Sequence, residues 1–209
     1  YVPAGSTNDF ANSLQIPKNM IDAAHAIVNG RTFSCDIGGF NDDVFVYIVA
    51  FGLFTEVSYE TRQDVKNILG HMAYVLEGMK RLSGIKSYPM RVEHDGQILE
   101  GDFIFGMITN SLSVGGFKRI TGKYVQLDDG EFEVTLIKRP ANPVELNTIM
   151  AALLNRNINT DLMYCFKTSA LKATAEEEIA WTLDGEYGGK HQEISIQVFK
   201  QALQIRVPN

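Results

Sequence analysis

Cysteine is scarce: only Cys35 and Cys165 occur in 209 residues. Each sits in an apolar or strand-like stretch, so two buried free thiols in a reducing compartment are the plainer reading. Long apolar runs are missing as well. No stretch of 18 or more apolar residues is available to cross a bilayer as a helix. No basic start followed by an apolar run marks a secretory leader. Together these absences give the expectation of a cytoplasmic protein. Positive charge is in deficit too. Nineteen Lys and Arg stand against 25 Asp and Glu, a net charge of −6, which argues against nucleic acid as a partner. The four histidines, His25, His71, His94 and His191, do not cluster, and neither Cys-x-x-Cys nor His-Glu-x-x-His occurs, so zinc is not expected. Gly-x-Ser-x-Gly, a Walker loop and Gly-x-Gly-x-x-Gly are absent, which removes nucleophile-elbow hydrolases and the commonest nucleotide motifs. What is present is material for a core. Hydrophobic residues make up 45% and charged residues 21%, so disorder is excluded and no staple is needed.

The patterning divides the chain. Tyr1 to Gly5 opens without Met, on the end of an apolar run, and reads as the inside of a longer protein. Phe10 to Leu14 is predicted helical and is ended by Ile16-Pro17. Asn19 to Val28 is predicted as a second helix with Met20, Ala23, Ala24 and Ile27 on one face, stopped by Gly30. From Thr32 the pattern is mostly of strands. Thr32 to Ile37 and Val44 to Val49 flank Gly38-Gly39. Tyr88 to Glu93 meets Gln97 to Ile104 across Asp95-Gly96, and the strand continues from Phe103 to Asn110. In the run from Phe132 to Ile137, Phe132, Val134 and Leu136 alternate as in a half-buried strand. Leu162 to Ala173, Glu178 to Leu183, Ile194 to Phe199 and Leu203 to Val207 complete the set. Two helices interrupt them: a long one over residues 58–82, and a short one from Pro143 to Asn155 capped by Asn142. Many short strands with turn signals between them predict a mostly β sandwich or flattened barrel.

Four polar clusters interrupt these patterns. Gly5-Ser6-Thr7-Asn8-Asp9 opens a helix and offers N–H groups to an anion, although routine capping explains it as well. Asp36 ends an apolar strand before two glycines and Asn41. It reads as a charged strand end, or as a carboxylate at the edge of a cleft. Gln126-Leu127-Asp128-Asp129-Gly130-Glu131 is a turn, or a loop that binds a hard cation through oxygen. Asp184-Gly185-Glu186 is a hairpin turn, or a carboxylate placed to act as a general base. Trp181 alternates with Ile179 and Leu183 and is expected in the core.

Taken in order, these clusters resemble one family. Pro3-Ala4-Gly5-Ser6-Thr7-Asn8-Asp9-Phe10-Ala11 resembles the P-x-G-T-x-N-D-F-A motif of the soluble diacylglycerol kinase-like lipid kinases, with Ser6 where many members have Thr. Later landmarks follow: Asp36-Ile37-Gly38 with Asn41; Leu69-Gly70, Ala73-Tyr74 and Gly78-Met79-Lys80; Asn110 with Gly115-Gly116; Asp128-Asp129-Gly130; and Asp184-Gly185-Glu186. The resemblance covers essentially the whole chain. It implies the β-sandwich C-terminal domain of the NAD kinase/diacylglycerol kinase-like fold (residues 32–209), preceded by a helical remnant of an α/β nucleotide-binding domain (residues 1–31). The family's Gly-Gly-Asp-Gly-Thr nucleotide loop does not occur in the 209 residues, so the chain alone is expected to be inactive.

The resemblance further implies an ATP- and Mg²⁺-dependent kinase that acts on a lipid hydroxyl. Gly5, Ser6 and Asn8 would lie at the nucleotide. Asp9, Asp36, Asp184 and Glu186 would form an acidic network around the reacting groups, with Glu186 as general base. The carbonyls of Gln126 and Glu131 and the Asp129 carboxylate would hold a structural Mg²⁺, and Lys80 would be a basic contact. Implied partners are the lipid, ATP and a peripheral membrane surface, with a homodimer left open. Two rivals stand beside this reading: a non-catalytic lipid-binding domain of the same fold, and an NAD kinase-like enzyme.

Overall fold

The computed structural model describes residues 1–5, 8–53, 84–114, 117–118, 125–155 and 160–209. The helix expected over residues 58–82, the contact at Lys80, Gly115-Gly116 and Ser6 lie outside the described residues. The helix α1 (Asp9–Ser13) makes little more than one turn, and α2 (Met20–Asn29) makes about three. Asn19 caps α2, its side chain accepting from the N–H groups of Ile21 and Asp22, as short polar residues do at a helix start. Gly30 ends α2, but not through a left-handed turn: its φ is −83°. A Cβ there would lie 1.9 Å from the Val207 carbonyl oxygen, so glycine lets two backbones touch. The apolar face expected on α2 is buried only at Ala23, and Met20 is 57% exposed.

The strands are β1 (Arg31–Phe40), β2 (Asp43–Phe45), β3 (Ile48–Gly52), β4 (Tyr88–His94), β5 (Gln97–Thr109), β6 (Ser113–Val114), β7 (Phe117–Lys118), β8 (Phe132–Lys138), β9 (Met163–Thr168), β10 (Ala170–Leu183) and β11 (Glu186–Val207). A third helix, α3 (Pro143–Asn155), separates β8 from β9. Nine strands form one antiparallel sheet in the order β2-β1-β11-β10-β3-β5-β8-β9. β4 joins it between β10 and β5, end to end with β3.

The sheet curls over so that its two ends face each other. Phe45 of β2 meets Phe132 of β8 with ring centroids 5.2 Å apart. Between the layers lie Phe40, Phe51, Phe103, Trp181 and Ile196, all buried. This closure is the sandwich expected from the many short strands, and Trp181 is in its core. A second core fills the outer face, where Leu146, Ile149 and Leu153 of α3 pack on Ile137 and Met163. A third seats Phe10, Ala11 and Ala23 on Cys35, Leu127, Ile205 and Val207.

Four local readings are corrected. Gly38-Gly39 do not break β1. A Cβ at Gly38 would lie 2.2 Å from the Phe45 ring, so the glycine makes room for an aromatic inside the strand. β8 is buried on both faces from Phe132 to Ile137 because α3 covers the side expected to meet water. The two C-terminal strands are one, interrupted at Gln201 (φ 53°) by a bulge. Cys35 is buried as expected, but Cys165 is exposed.

Candidate functional site

Asp184 and Gly185 both have positive φ, 52° and 93°, the geometry of a two-residue hairpin turn. The Asp184 carboxylate is not free. Its Oδ2 accepts from Val46 N–H at 2.7 Å, and its Oδ1 accepts from Tyr47 N–H at 2.9 Å and Ile48 N–H at 3.0 Å. Its own N–H donates to the Ile48 carbonyl at 2.8 Å. The side chain therefore staples the β10–β11 turn to the break between β2 and β3. Glu186, two residues on, opens β11 and is exposed.

The stapled segment carries Tyr47. Burial, and then the negative charges of Asp9 and Asp184, push its phenol well above the ordinary range. Asp9, 5% exposed at the start of α1, thus shares Tyr47's surroundings with Asp184. α1 is fastened from below: the Ser13 hydroxyl donates to the Asp9 carbonyl, lies 2.9 Å from the Ser111 hydroxyl, and accepts from Leu112 N–H. Asn8 has a left-handed φ of 54° and its side chain closes on Gly5, accepting from Gly5 N–H at 3.0 Å and donating to its carbonyl at 2.6 Å. Asn8 therefore shapes the loop before α1, and the expected helix-end anion site shrinks to a helix of five residues.

Asp36 is placed elsewhere than expected. It is fully buried at the β1 bulge. Its Oδ2 accepts from Gly130 N–H and its Oδ1 from Gln201 N–H, both at 2.6 Å. Two backbone donors hold the carboxylate inside the fold, so Asp36 ties the 127–130 turn to the β11 bulge. Asp9 and Asp184 lie about Tyr47, and Asp36 lies at the 127–130 turn. Asn110 joins them. Its Nδ2 donates to the carbonyls of Asp36 and Leu127, and its backbone N–H donates to the Tyr47 carbonyl. Sequence reasoning gave Asn110 no role, though a polar residue after the apolar run Phe103–Thr109 was its signal. Tyr47 gave no local signal.

The second group surrounds the 127–131 loop. Asp129 Oδ2 lies 2.7 Å from Lys167 Nζ, and its Oδ1 accepts from Glu131 N–H at 3.1 Å. Lys167 also lies 3.2 Å from Glu133 Oε1. Burial drives the Glu133 carboxyl up to about 7, against the pull of Lys167. Burial lowers the Lys167 ammonium, but its bonds to Asp129 and Glu133 outweigh that and the net direction is upward. Lys200 Nζ donates to the Asp129 carbonyl at 3.1 Å. Gln126 and Glu131 are exposed. A structural Mg²⁺ needs the Asp129 carboxylate, yet an ammonium already supplies its countercharge. Of the set Gln126, Asp129 and Glu131, the carboxylate of Asp129 thus already has a countercharge in Lys167. No group of three or more His, Cys, Asp or Glu able to hold a metal ion occurs among the described residues.

The YegS C-terminal NAD kinase beta sandwich-like domain matches residues 48–207, and the diacylglycerol kinase catalytic domain matches residues 1–40. A Bacillus subtilis protein named diacylglycerol kinase is 34% identical over 190 residues, covering 90% of this chain and 62% of its own length. Its Staphylococcus aureus counterpart is 33% identical over 192 residues, covering 90% and 60%. The chain therefore spans about three fifths of the curated relatives it matches. A crystal structure of a diacylglycerol kinase from Bacillus anthracis superposes with a TM-score of 0.71 at 19% identity, over 99% of this chain and 65% of that one. That likeness shows the fold. With residues 48–207 matched, this chain belongs to the family of the YegS C-terminal NAD kinase beta sandwich-like domain, preceded by a segment that matches the diacylglycerol kinase catalytic domain.

Proposed function

We propose that the protein containing this chain transfers the γ-phosphate of ATP to the hydroxyl of a diacylglycerol-type lipid, with Glu186 as general base. The observation that carries this reading is the division of labour in the Asp184-Gly185-Glu186 turn. Three backbone N–H groups hold Asp184, which fixes the turn and leaves Glu186 exposed at its end. A lipid hydroxyl is a very weak acid, so a positioned carboxylate must accept its proton as the new O–P bond forms and the bond to the departing ADP oxygen breaks. Such a base contributes roughly 10²–10⁴-fold. Magnesium carried with ATP would neutralise phosphate charge. In this reading Asp9, on α1, would help hold that magnesium, Gly5 and Asn8 shape the loop before α1, and Ser6 would lie at the nucleotide. Asp184 and Asp36 act as positioning residues.

The test is Glu186→Gln in the full-length protein, assayed with ATP and a panel of lipid hydroxyls. Turnover is expected to fall by two or more orders of magnitude, as for loss of a general base, with an unchanged melting temperature. Wild-type rates would overturn the assignment. Lipid binding without any turnover by the wild type would favour a non-catalytic lipid-binding domain, and turnover of NAD would favour the NAD kinase-like alternative.

A further inference from the structure

The charge of the 127–131 loop is met by donors within the chain. Every polar group of Asp128 and Asp129 for which the structure gives a contact faces a donor from the protein itself. Lys167 Nζ takes Asp129 Oδ2, Glu131 N–H takes Oδ1, Lys200 Nζ takes the Asp129 carbonyl, and Gln201 Nε2 takes the Asp128 carbonyl at 3.4 Å. Gly130 N–H is spent on Asp36. The two lysines come from outside the loop, one of them delivered by the sheet register. Lys167 is the direct cross-strand partner of Glu133 in the β8–β9 ladder, so the sheet register delivers its ammonium, and opposite charges directly across a ladder attract. Glu133, with its side chain 5% exposed, keeps that ammonium at the loop. Lys200 comes from the β11 bulge, beside the Gln201 that Asp36 grips.

We propose that in this chain the ammonium of Lys167, seconded by Lys200, takes the place of a divalent ion at the 127–131 loop, so that the loop is pinned without metal. Mg²⁺ demands near-octahedral oxygen donors at short range and gives up its water reluctantly. A carboxylate that already bears a partly buried ammonium offers it little, because like charges would then crowd one oxygen. The inference stands apart from the catalytic reading, since it is read out without turnover.

The experiment is thermal unfolding of the full-length protein, without nucleotide, in excess MgCl₂ and in EDTA. The expected result is one midpoint in both conditions, with Lys167→Arg equally indifferent. Lys167→Met is expected to melt lower in EDTA and to recover with Mg²⁺, because removing the ammonium frees the carboxylate for a hard cation. A Mg²⁺-dependent rise in the wild-type midpoint that Asp129→Asn abolishes would overturn the proposal, as would indifference of Lys167→Met to Mg²⁺. If Lys167→Met does not fold, Mn²⁺ titration of the wild type decides. Paramagnetic broadening confined to the Gly130 and Glu131 amides would refute the lysine lock, and its absence there would uphold it.

Discussion

Asp184 and Glu186 stand two positions apart and are predicted to fail in opposite ways. Asp184→Asn keeps the shape of the side chain but puts an amide N–H₂ where backbone donors point. The expected cost is about 2 kcal/mol, the scale of hydrogen bonds to a charged group, read by urea unfolding. Glu186→Gln should leave the same curve unmoved. If both variants unfold alike, the turn is not divided as described. Glu133 gives a second residue-scale expectation. Its folded value is about 7 against an ordinary 4.5, so the folded state holds the proton longer than the unfolded one. Its contribution is fully present below about 4.5 and is lost as pH climbs to about 7. Glu133→Gln should therefore gain on the wild type across that window, and a constant gap in urea midpoints would contradict the assignment. At this scale the sequence showed which residues were acids in unusual places, but not their partners. The donors to Asp36 are 94 and 165 positions away, and no local pattern encodes them.

Elements were easier to locate than to bound. Alternation and the Asp-Gly turns at 95–96 and 184–185 located most strands, since turn chemistry is local. Glycine misled where its role was tertiary: at Gly38 it makes room for an aromatic ring, whereas Gly30 ends α2 as its position implied. Gly38→Ala is accordingly expected to cost about 1–3 kcal/mol, the usual penalty of overpacking, visible as a lower denaturant midpoint with the strand retained. A neutral result would mean that the Phe45 ring can move aside. β8 was misread as half-exposed because α3, which covers its outer face, pairs with it only in three dimensions. α2 is clamped at its C-terminal end by Arg206, whose guanidinium donates to the carbonyls of Ile27 and Gly30 and to the Thr32 hydroxyl. Arg206→Ala should raise hydrogen exchange in the last turn of α2 and leave the amides of β10 protected. Equal loosening of both would show that the clamp serves the whole sheet.

At the scale of the molecule, a mostly β sandwich with a short helical preface was legible from composition, turn spacing and the order of the acidic clusters. The curl that brings Phe45 onto Phe132 was not, because it rests on contacts between strands far apart in sequence. The nucleotide loop of the family is not among these 209 residues, so the purified chain is predicted to transfer no phosphate from ATP to any lipid hydroxyl. Measurable transfer by the chain alone would mean that the residues from Gly5 to Asp9 suffice to hold ATP. The strand order carries a last implication. β11 is the final strand in sequence, yet it sits in the sheet between β1 and β10. On the ribosome, the ladder between β1 and β11 must therefore wait until the residues from Ile196 onward have emerged, and loop closure on that span makes the last joining slow. During that interval two edges lie open, and a nascent chain of this architecture would gain from a chaperone that shields exposed strands.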